Sequence, residues 1–393
     1  MLRPWLVRAL SVVVAAAIWL SSVHLFFRPG PPVHTASGRL TPTGEALLVR
    51  QLRLWEDPGE RARAVEQMRA SNAEWDFMGR TFLVLALGNM ALRQPEERDR
   101  YLAIIDRIVD ETLVLERELG MYHFLMPYAS ARPFVVQPPR SAFVDGEIAL
   151  MLATRELLLP RAGGERQLAE RTASLRSQME ESPVLSAESY PDECWTFCNT
   201  LALAAMRMED AIRGGHCGMD LARRWVERAK AELVDPETGL LVSSFTVSGR
   251  HLDSPEGSSI WVSSHALMLV DEAFARDQYE RARRLLGVEF MGFGWAREWP
   301  RSSRGRSDID SGPIVPIVEA SPGSSGLALL GASAFGDDSY LTSLITTLDF
   351  AGFPTRRRGA LRYAASNQVG DAALVYALSF GPLWQRVTHG EGS

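Results

Sequence analysis

One run of the sequence, residues 189–200 (SYPDECWTFCNT), carries carboxyl and thiol groups close together. Ser189 with Pro191 two residues later is typical of a helix N-terminus. Asp192 and Glu193 would then lie in the first helical turn, where the helix dipole favours carboxylates. Carboxyl groups in this position are either dipole partners alone or, at the rim of a pocket, groups that transfer protons.

Cys194 and Cys198 lie four residues apart, so a helix would place both thiols on one face. They are either small core residues, as free cysteines often are, or thiols that take part in proton transfer. A zinc site would need two more ligands, and only His216 and Cys217 are near in sequence. That pair would have to return to the start of the same helix, so we expect no metal here.

A second group of candidates lies on a long irregular stretch that contains Trp295, Glu298 and Trp299, followed by Asp308 and Asp310. Two acids before a Ser-Gly-Pro sequence are typical of a turn. Aromatic and acidic side chains on a long loop also suit ligand binding, and both interpretations stay open.

Three more side chains stand out on helical segments. Trp261 and His265 are four residues apart on one helix, and a lone histidine in that setting is more often a core residue than a functional group. Glu147 follows Gly146 on an otherwise apolar helix face. Its carboxyl therefore faces either the solvent or the interior of the fold.

The composition is that of a packed globular protein, with 46% hydrophobic and 23% charged residues and ten tryptophans. The net charge of −6 is spread without long runs of one sign, so no basic face for phosphate backbones is present and nucleic acid is not an expected partner. The three cysteines are odd in number and clustered, which argues against a disulfide framework.

The first thirty residues differ from the rest. Residues 9–27 are apolar over about the length that crosses a bilayer as a helix, and Arg3 and Arg8 before them favour a cytoplasmic N-terminus. A cleaved signal peptide is the alternative, although the exit FFRPGPP is a poor cleavage site. We expect a signal anchor within residues 1–30, a single pass through the inner membrane and a body on the periplasmic side.

Behind a Pro- and Gly-rich linker at residues 31–42, one domain is expected over residues 43–390. About a dozen helical segments follow one another, among them 191–213, 260–274 and 367–386. Short links between consecutive helices imply antiparallel hairpins, and so many hairpins close into a ring or stack as a solenoid. Since no fixed sequence period is visible, an all-α toroid with a pocket among its long loops is predicted.

Several short motifs together resemble the linalool dehydratase/isomerase family, over roughly residues 70–388. The motifs are residues 190–199, 233–239 and 261–270, and Ala360–Tyr363 followed by Gly370 and Asp371. The resemblance implies an exported (α/α)6 barrel that adds or removes water and shifts a double bond in an allylic terpene alcohol. It also implies acid-base chemistry without a metal or an organic cofactor.

Position by position, the resemblance puts Cys198 on one of the family's two working cysteines and Asp192 on the aspartate upstream of it. Three positions carry another residue type than the family's: Ser189 for a cysteine, Glu147 for a histidine and Trp261 for a tyrosine. The aspartate and tyrosine that the family supplies from near its N-terminus have no clear counterpart in residues 40–70.

The predicted site therefore has Cys198 as a proton donor, held in its thiol form by the neighbouring acids, and Glu147 as the base. Further catalytic candidates are Asp192, Glu193 and Asp310. The candidates for substrate contact are Tyr190, Trp195, Trp261, His265 and Asp308.

Three functions are compatible with these residues. The first is a cofactor-free lyase or isomerase that acts on a small hydrophobic substrate. The second is a carbohydrate-active barrel in which Asp192 or Glu193 pairs with Asp310 across a glycosidic bond. The third is a membrane-held binding barrel without chemistry, in which Cys198 and Glu147 would lie far apart or face neighbouring helices. Assembly into a homo-oligomer is left open.

Overall fold

A computed structural model describes residues 4–30, 39–303 and 312–389. Within these residues it contains fifteen α-helices and seven short β-strands. The helices are α1 Pro4–Ser22, α2 Pro42–Glu56, α3 Pro58–Ser71, α4 Ala73–Arg93, α5 Arg98–Leu119, α6 Ala142–Leu158, α7 Gly164–Glu181, α8 Thr196–Arg213, α9 Cys217–Glu232, α10 Gly257–Leu267, α11 Glu272–Leu285, α12 Pro322–Phe335, α13 Asp338–Ala351, α14 Gln368–Ser379 and α15 Pro382–His389. The strands are β1 Cys194–Trp195, β2 Ser244–Phe245, β3 His251–Asp253, β4 Gly287–Phe290, β5 Phe293–Ala296, β6 Pro354–Arg357 and β7 Ala360–Tyr363.

Six helices form a closed inner ring. In the order α4, α6, α8, α10, α12 and α14, each packs against the next, and α14 packs against α4. Helices α5, α7, α9, α11 and α13 follow them along the chain and cover the outside, and α2 packs against α14 in the sixth outer position. The predicted six-hairpin (α/α)6 barrel is confirmed.

The two layers differ in sequence because they differ in what surrounds them. Helix α6 of the inner ring is buried on nearly every side, Leu157 being its one half-buried residue. Helix α7 outside it buries only one stripe, at Gly164, Leu168, Thr172, Leu175, Gln178 and Met179. A helix that is apolar all round belongs to the interior, and one with a single apolar stripe belongs to the surface.

All six inner helices begin at the same end of the barrel, which we call the mouth end, because an outer helix returns the chain to that end each time. The positive ends of six helix dipoles meet there, which favours carboxylates. Four of these helices are capped by a side chain, from Asn72, Ser141, Ser321 and Asn367. The strands and long connections also lie at this end.

The opposite end is closed by α15. The Leu383 amide donates to Asn89 Oδ1 at 3.0 Å, and the Trp384 indole donates to the carbonyl oxygen of His265 at 3.3 Å. The helix predicted over residues 367–386 is therefore two helices. Gly381, with φ 129°, and the proline after it turn the chain between them.

Two other predicted helix boundaries are wrong. The segment 260–274 ends as a helix at Leu267, and Asp271 caps the next helix, α11. The segment 191–213 becomes helical only at Thr196, because Cys194 and Trp195 form a strand paired with Phe245 and Ser244. The Ser-Tyr-Pro-Asp sequence is a tight turn and not a helix start.

Residues Pro4–Phe26 form one continuous apolar stretch of mean hydropathy 2.0 that is not buried by the rest of the chain. It is long enough to cross a membrane, as a single-pass anchor or as a signal sequence. Just beyond it, the Phe27 ring packs against Phe350 of α13, with 5.1 Å between ring centroids.

Candidate active site

Cys198 is the third residue of α8 and lies at the mouth end. It is 4% exposed, and its thiol is hydrogen-bonded by the Ser189 hydroxyl. Burial raises the pKa of Cys198 well above its usual value, the Ser189 bond lowers it, and the charges of Glu74 and Glu147 raise it further. The predicted thiol form is therefore supported, and it is due chiefly to burial.

Glu147 of α6 carries a carboxyl that is 2% exposed and accepts a hydrogen bond from Thr81 Oγ1 of α4 at 2.6 Å. Burial raises the pKa of Glu147 to about 8, the Thr81 bond opposes this shift, and the charge of Glu74 adds to it. Gly146 helps to bring the helices together, since a Cβ there would lie 3.4 Å from the carbonyl oxygen of Cys198. Glu147 is thus mostly protonated at neutral pH.

Glu74, the second residue of α4, is a third member of the cluster that the sequence analysis missed. Its carboxylate accepts a hydrogen bond from the Tyr190 hydroxyl, which in turn accepts one from the Met126 amide at 2.9 Å. Burial, and then the charge of Glu74, raise the pKa of Tyr190 far above its usual value. In the sequence, Glu74 stands in the first turn after the helix-capping Asn72, a position that acids also occupy when they only face the helix dipole, so the sequence did not single it out.

Aromatic rings border the three acidic groups. Phe77, one helical turn before Thr81, packs on Phe143 with 5.3 Å between ring centroids, and Phe143 packs on Phe197 at 6.4 Å. Tyr128 stacks on Tyr190 at 4.5 Å. A cluster walled by such side chains has a low local dielectric, in which unpaired charge is costly.

Asp192 and Glu193 do not join this cluster. Asp192 has a left-handed backbone, with φ 51°, and its carboxylate accepts a hydrogen bond from the Val247 amide at 3.2 Å. Both charges act on the thiol of Cys194, whose pKa is raised first by burial and then by Glu188, Asp192 and Glu193. The expectation that these two acids hold Cys198 in its thiol form is wrong, because the turn at 190–193 directs them to the other cysteine.

Cys194 and Cys198 do not share a helix face. Cys194 lies in β1, and its thiol donates to the carbonyl oxygen of Ser186 at 3.8 Å. Cys194, Cys198 and Cys217 are all free thiols.

Trp261 and His265 of α10 are buried away from Cys198. The Trp261 indole donates to Ser324 Oγ at 3.0 Å, and its ring packs on Tyr279 and Tyr340 of the outer helices. His265 Nε2 lies 2.7 Å from the Tyr376 hydroxyl, and burial lowers the pKa of His265 to about 3. Both side chains are core residues in this arrangement.

Trp195, the residue before α8, is half-buried, and its indole N–H has no hydrogen-bond partner among the described residues. Asp308 and Asp310 lie outside the described residues. Their places in the predicted site stay predictions.

A second acidic group lies at the start of α10. Glu256 accepts a hydrogen bond from the Trp299 indole at 3.4 Å, and burial, with the charges of Glu298 and Asp253, raises the pKa of Glu256 to about 8. Glu298 accepts hydrogen bonds from the amide and hydroxyl of Ser258, so its carboxylate caps α10. Glu298 thus has a structural role here.

Among the described residues, no group of three or more His, Cys, Asp or Glu side chains could hold a metal ion. A cavity of about 290 Å³ lies at the end opposite the mouth and is bordered by Arg39, Arg93 and Gln385, among others. Cys198, Glu147 and Glu74 are not among its lining residues.

Solved structures of other proteins share this architecture. The GH76A α-1,6-mannanase from Salegentibacter sp. HEL1_6 is 12% identical, with 78% of this chain and 88% of that chain aligned at a TM-score of 0.50. The unsaturated glucuronyl hydrolase from Bacillus sp. GL1 is 13% identical over 81% of this chain and 88% of that chain, at a TM-score of 0.49. At such identities the likeness concerns the fold alone.

No curated protein matches the chain. The family model described as linalool dehydratase/isomerase matches residues 166–369, which include Tyr190, Cys198 and the whole of α8, α10 and α12. The match covers more than half of the sequence, and the chain belongs to the linalool dehydratase/isomerase family.

Proposed function

We propose that this chain is an exported, membrane-anchored enzyme that removes water from, adds it to, or isomerises a small hydrophobic alcohol by acid-base chemistry. The observation that carries the proposal is the grouping of Cys198, Glu147 and Glu74 from three inner helices beside aromatic rings, with the first two buried and Glu74 half-buried. Titratable groups with pKa values raised as far as those of Cys198 and Glu147 are concentrated at functional sites.

The reaction needs one proton donor and one base. In dehydration, a proton passes to the hydroxyl oxygen, the C–O bond breaks, water leaves, and loss of a proton from the neighbouring carbon forms the double bond. Glu147, mostly protonated at neutral pH, is the donor, and Glu74 is the base. Hydration is the reverse: Glu147 accepts a proton from water and Glu74 donates one to the double bond. This assignment differs from the sequence-based prediction of Cys198 as donor and Glu147 as base, because burial keeps Glu147 protonated at neutral pH.

Cys198 has a different task. A thiol kept neutral by burial is a poor nucleophile but a hydrogen-bond donor, and it can hold the hydroxyl oxygen of an alcohol toward Glu147. The phenyl rings of Phe77, Phe143 and Phe197 offer an apolar wall and no hydrogen bonds. Such a site favours a hydrocarbon chain with one hydroxyl group over a sugar.

The test is product analysis with the full chain in detergent and allylic terpene alcohols such as linalool, followed by gas chromatography for alkenes and isomeric alcohols. Glu147→Gln and Cys198→Ala should each lower turnover about 10²-fold or more, while neither variant melts markedly below the wild type. Glu209→Gln is the matched control, because Glu209 is also buried and also accepts a threonine hydrogen bond, from Thr172 at 2.6 Å. No turnover of any alcohol by the wild type would contradict the proposal.

A carbohydrate-active barrel is the second candidate, favoured by Glu256 and its Trp299 neighbour. The pairs first considered for it involve Asp310, outside the described residues. The acids that the structure brings near Glu256 are Glu298, which already caps α10, and Asp253, which accepts a hydrogen bond from the Ser244 hydroxyl. Release of sugar from glycosides by the wild type, lost in Glu256→Gln and kept in Glu147→Gln, would favour this candidate over the first.

The anchoring is part of the proposal. The apolar stretch Pro4–Phe26 supports a single-pass anchor with the barrel outside the cytoplasmic membrane. A reporter fused after residue 40 should be active only in the exported compartment. Activity of a cytoplasmic reporter at that position would contradict this topology.

A further inference from the structure

The mouth end of the barrel exposes large apolar side chains in three separate segments. The β4–β5 hairpin, the connection before α12 and the end of α13 each contribute. Seven side chains are exposed there: Phe290, Met291, Val315, Ile317, Val318, Phe350 and Phe353. Ile317 is 99% exposed and Phe353 is 67% exposed. Solvent-facing apolar groups gathered at one end of a globular domain mark a contact surface.

The N-terminal apolar helix ends on this same surface. The Phe27 ring packs on Phe350 at 5.1 Å, and the His24 ring lies 6.3 Å from that of Phe293 at the tip of the β4–β5 hairpin. Gly292 makes the approach possible, because a Cβ there would lie 2.2 Å from the His24 ring. When this helix spans a bilayer, the exposed apolar side chains lie level with the point at which the chain leaves the bilayer.

Basic side chains flank the apolar ones. The β6–β7 hairpin directly after Phe353 exposes Arg356, Arg357 and Arg358 in its tip, and the carbonyl oxygen of Arg358 is held by Arg53 of α2 at 2.7 Å. Among the described residues, none of these three tip arginines has a carboxylate within ion-pair distance. Exposed aromatic rings beside unpaired arginines suit the headgroup region of an anionic membrane.

We propose that the mouth end of the barrel docks on an anionic phospholipid bilayer, with Phe290, Phe350 and Phe353 in the interfacial region and the Arg356–Arg358 tip on lipid phosphates. The inference rests on the proposed anchoring by α1. Its consequence is that the mouth, where Cys198 and Glu147 lie, faces the lipid, so a hydrophobic substrate passes from the bilayer to the site without crossing water.

The test places a nitroxide label at Phe290→Cys or Phe353→Cys of the full chain in vesicles of phosphatidylglycerol and phosphatidylcholine. Cys217→Ser removes the exposed native thiol, and Leu159→Cys, exposed at the end opposite the mouth, is the matched control site. Relaxation of the nitroxide by oxygen, which concentrates in lipid, is compared with its relaxation by a nickel chelate that stays in water. Labels at the first two positions should respond mainly to oxygen and the label at position 159 mainly to nickel.

The arginines are tested in the same vesicles. Since each arginine near an anionic surface strengthens binding about fivefold, Arg356→Gln, Arg357→Gln and Arg358→Gln together should weaken docking about 10²-fold and return the Phe353→Cys label to water. The same change of charge at Arg166, Arg223 and Arg224, exposed on α7 and α9, should leave the label in lipid.

Two results would overturn the docking. Labels at positions 290 and 353 that respond to nickel, in a chain that still floats with the vesicles, would leave the anchor in place and refute the docked orientation. Labels shielded from both reagents, with spin-spin broadening between copies, would assign this face to a second copy of the chain. Alcohol turnover is measured separately, so neither result decides the proposed chemistry.

Discussion

Glu147 and Glu209 are both buried glutamates of the inner ring, and each accepts a hydrogen bond from a threonine hydroxyl at 2.6 Å. Glu209, toward the closed end of the barrel, also pairs with Arg213 at 3.2 Å and with Arg176 at 3.9 Å. Glu147, at the mouth end, has no ion pair among the described residues, and its charged neighbours are acids or a thiol.

The difference shows that the fold supplies an opposite charge to the carboxyl of Glu209 and none to that of Glu147 among the described residues. A buried glutamate with arginine partners is part of the barrel wall, whereas one left among Glu74, Cys198 and aromatic rings keeps its proton. Uncompensated burial of this kind lowers stability at neutral pH, so its retention at one end of the barrel points to a role in chemistry.

The largest expected difference between the two glutamates is in how the free energy of unfolding depends on pH. The folded-state pKa of Glu147, about 8, lies above its ordinary value of 4.5, so folding favours the protonated form. The contribution of Glu147 to the free energy of unfolding should be highest below pH 4.5, fall as the pH rises from about 4.5 to about 8, and change no further beyond. The total loss is on the order of a few kcal/mol. Glu147→Gln should remove this loss, so its melting temperature relative to the wild type should rise between pH 5 and pH 9.

Glu209→Gln is the opposite case. It breaks two ion pairs and gains nothing at high pH, so the variant should be less stable than the wild type at pH 9. If Glu147→Gln also loses stability at pH 9, the two glutamates do not differ as described.

Much of the architecture was open to prediction because helical periodicity and short links are local signals. The same signals predicted Glu147 on an apolar face, whereas the thiol form of Cys198 was predicted from Asp192 and Glu193, which act on Cys194 instead. Local signals failed at Asp192. The turn that orients its side chain depends on the pairing of β1 with β2, and β2 lies some fifty residues later in the sequence. An acid in a helical first turn, as at Glu74, is indistinguishable in sequence from an ordinary dipole partner.

Trp261 and His265 show a second limit. Their spacing on one helix is correct, yet the periodicity of an inner helix does not say which side faces the outer layer. Because an inner helix is apolar all round, only the packing of Tyr279 and Tyr376 against these two residues reveals that they are core.

A smaller effect is expected when Thr81, the hydrogen-bond donor to Glu147, is replaced. Thr81→Val removes the hydrogen bond that holds down the pKa of Glu147, so that pKa should rise above about 8. The stability cost should be about 1 kcal/mol, the usual net value of one hydrogen bond. Thr172→Val at Glu209 is the matched control. In titrations of the carboxyl by infrared spectroscopy, an unchanged or lowered midpoint in Thr81→Val would contradict the assigned contact.

The most direct test of the central claim is the protonation state of Glu147 itself. An infrared difference spectrum of wild type minus Glu147→Gln removes the contributions of other raised carboxyls such as Glu256 and Asp371. The account predicts a protonated carboxyl band at pH 7 that titrates away with a midpoint of about 8. A difference spectrum with only a carboxylate band at pH 7 would show that Glu147 is already ionised and would contradict its role as the proton donor.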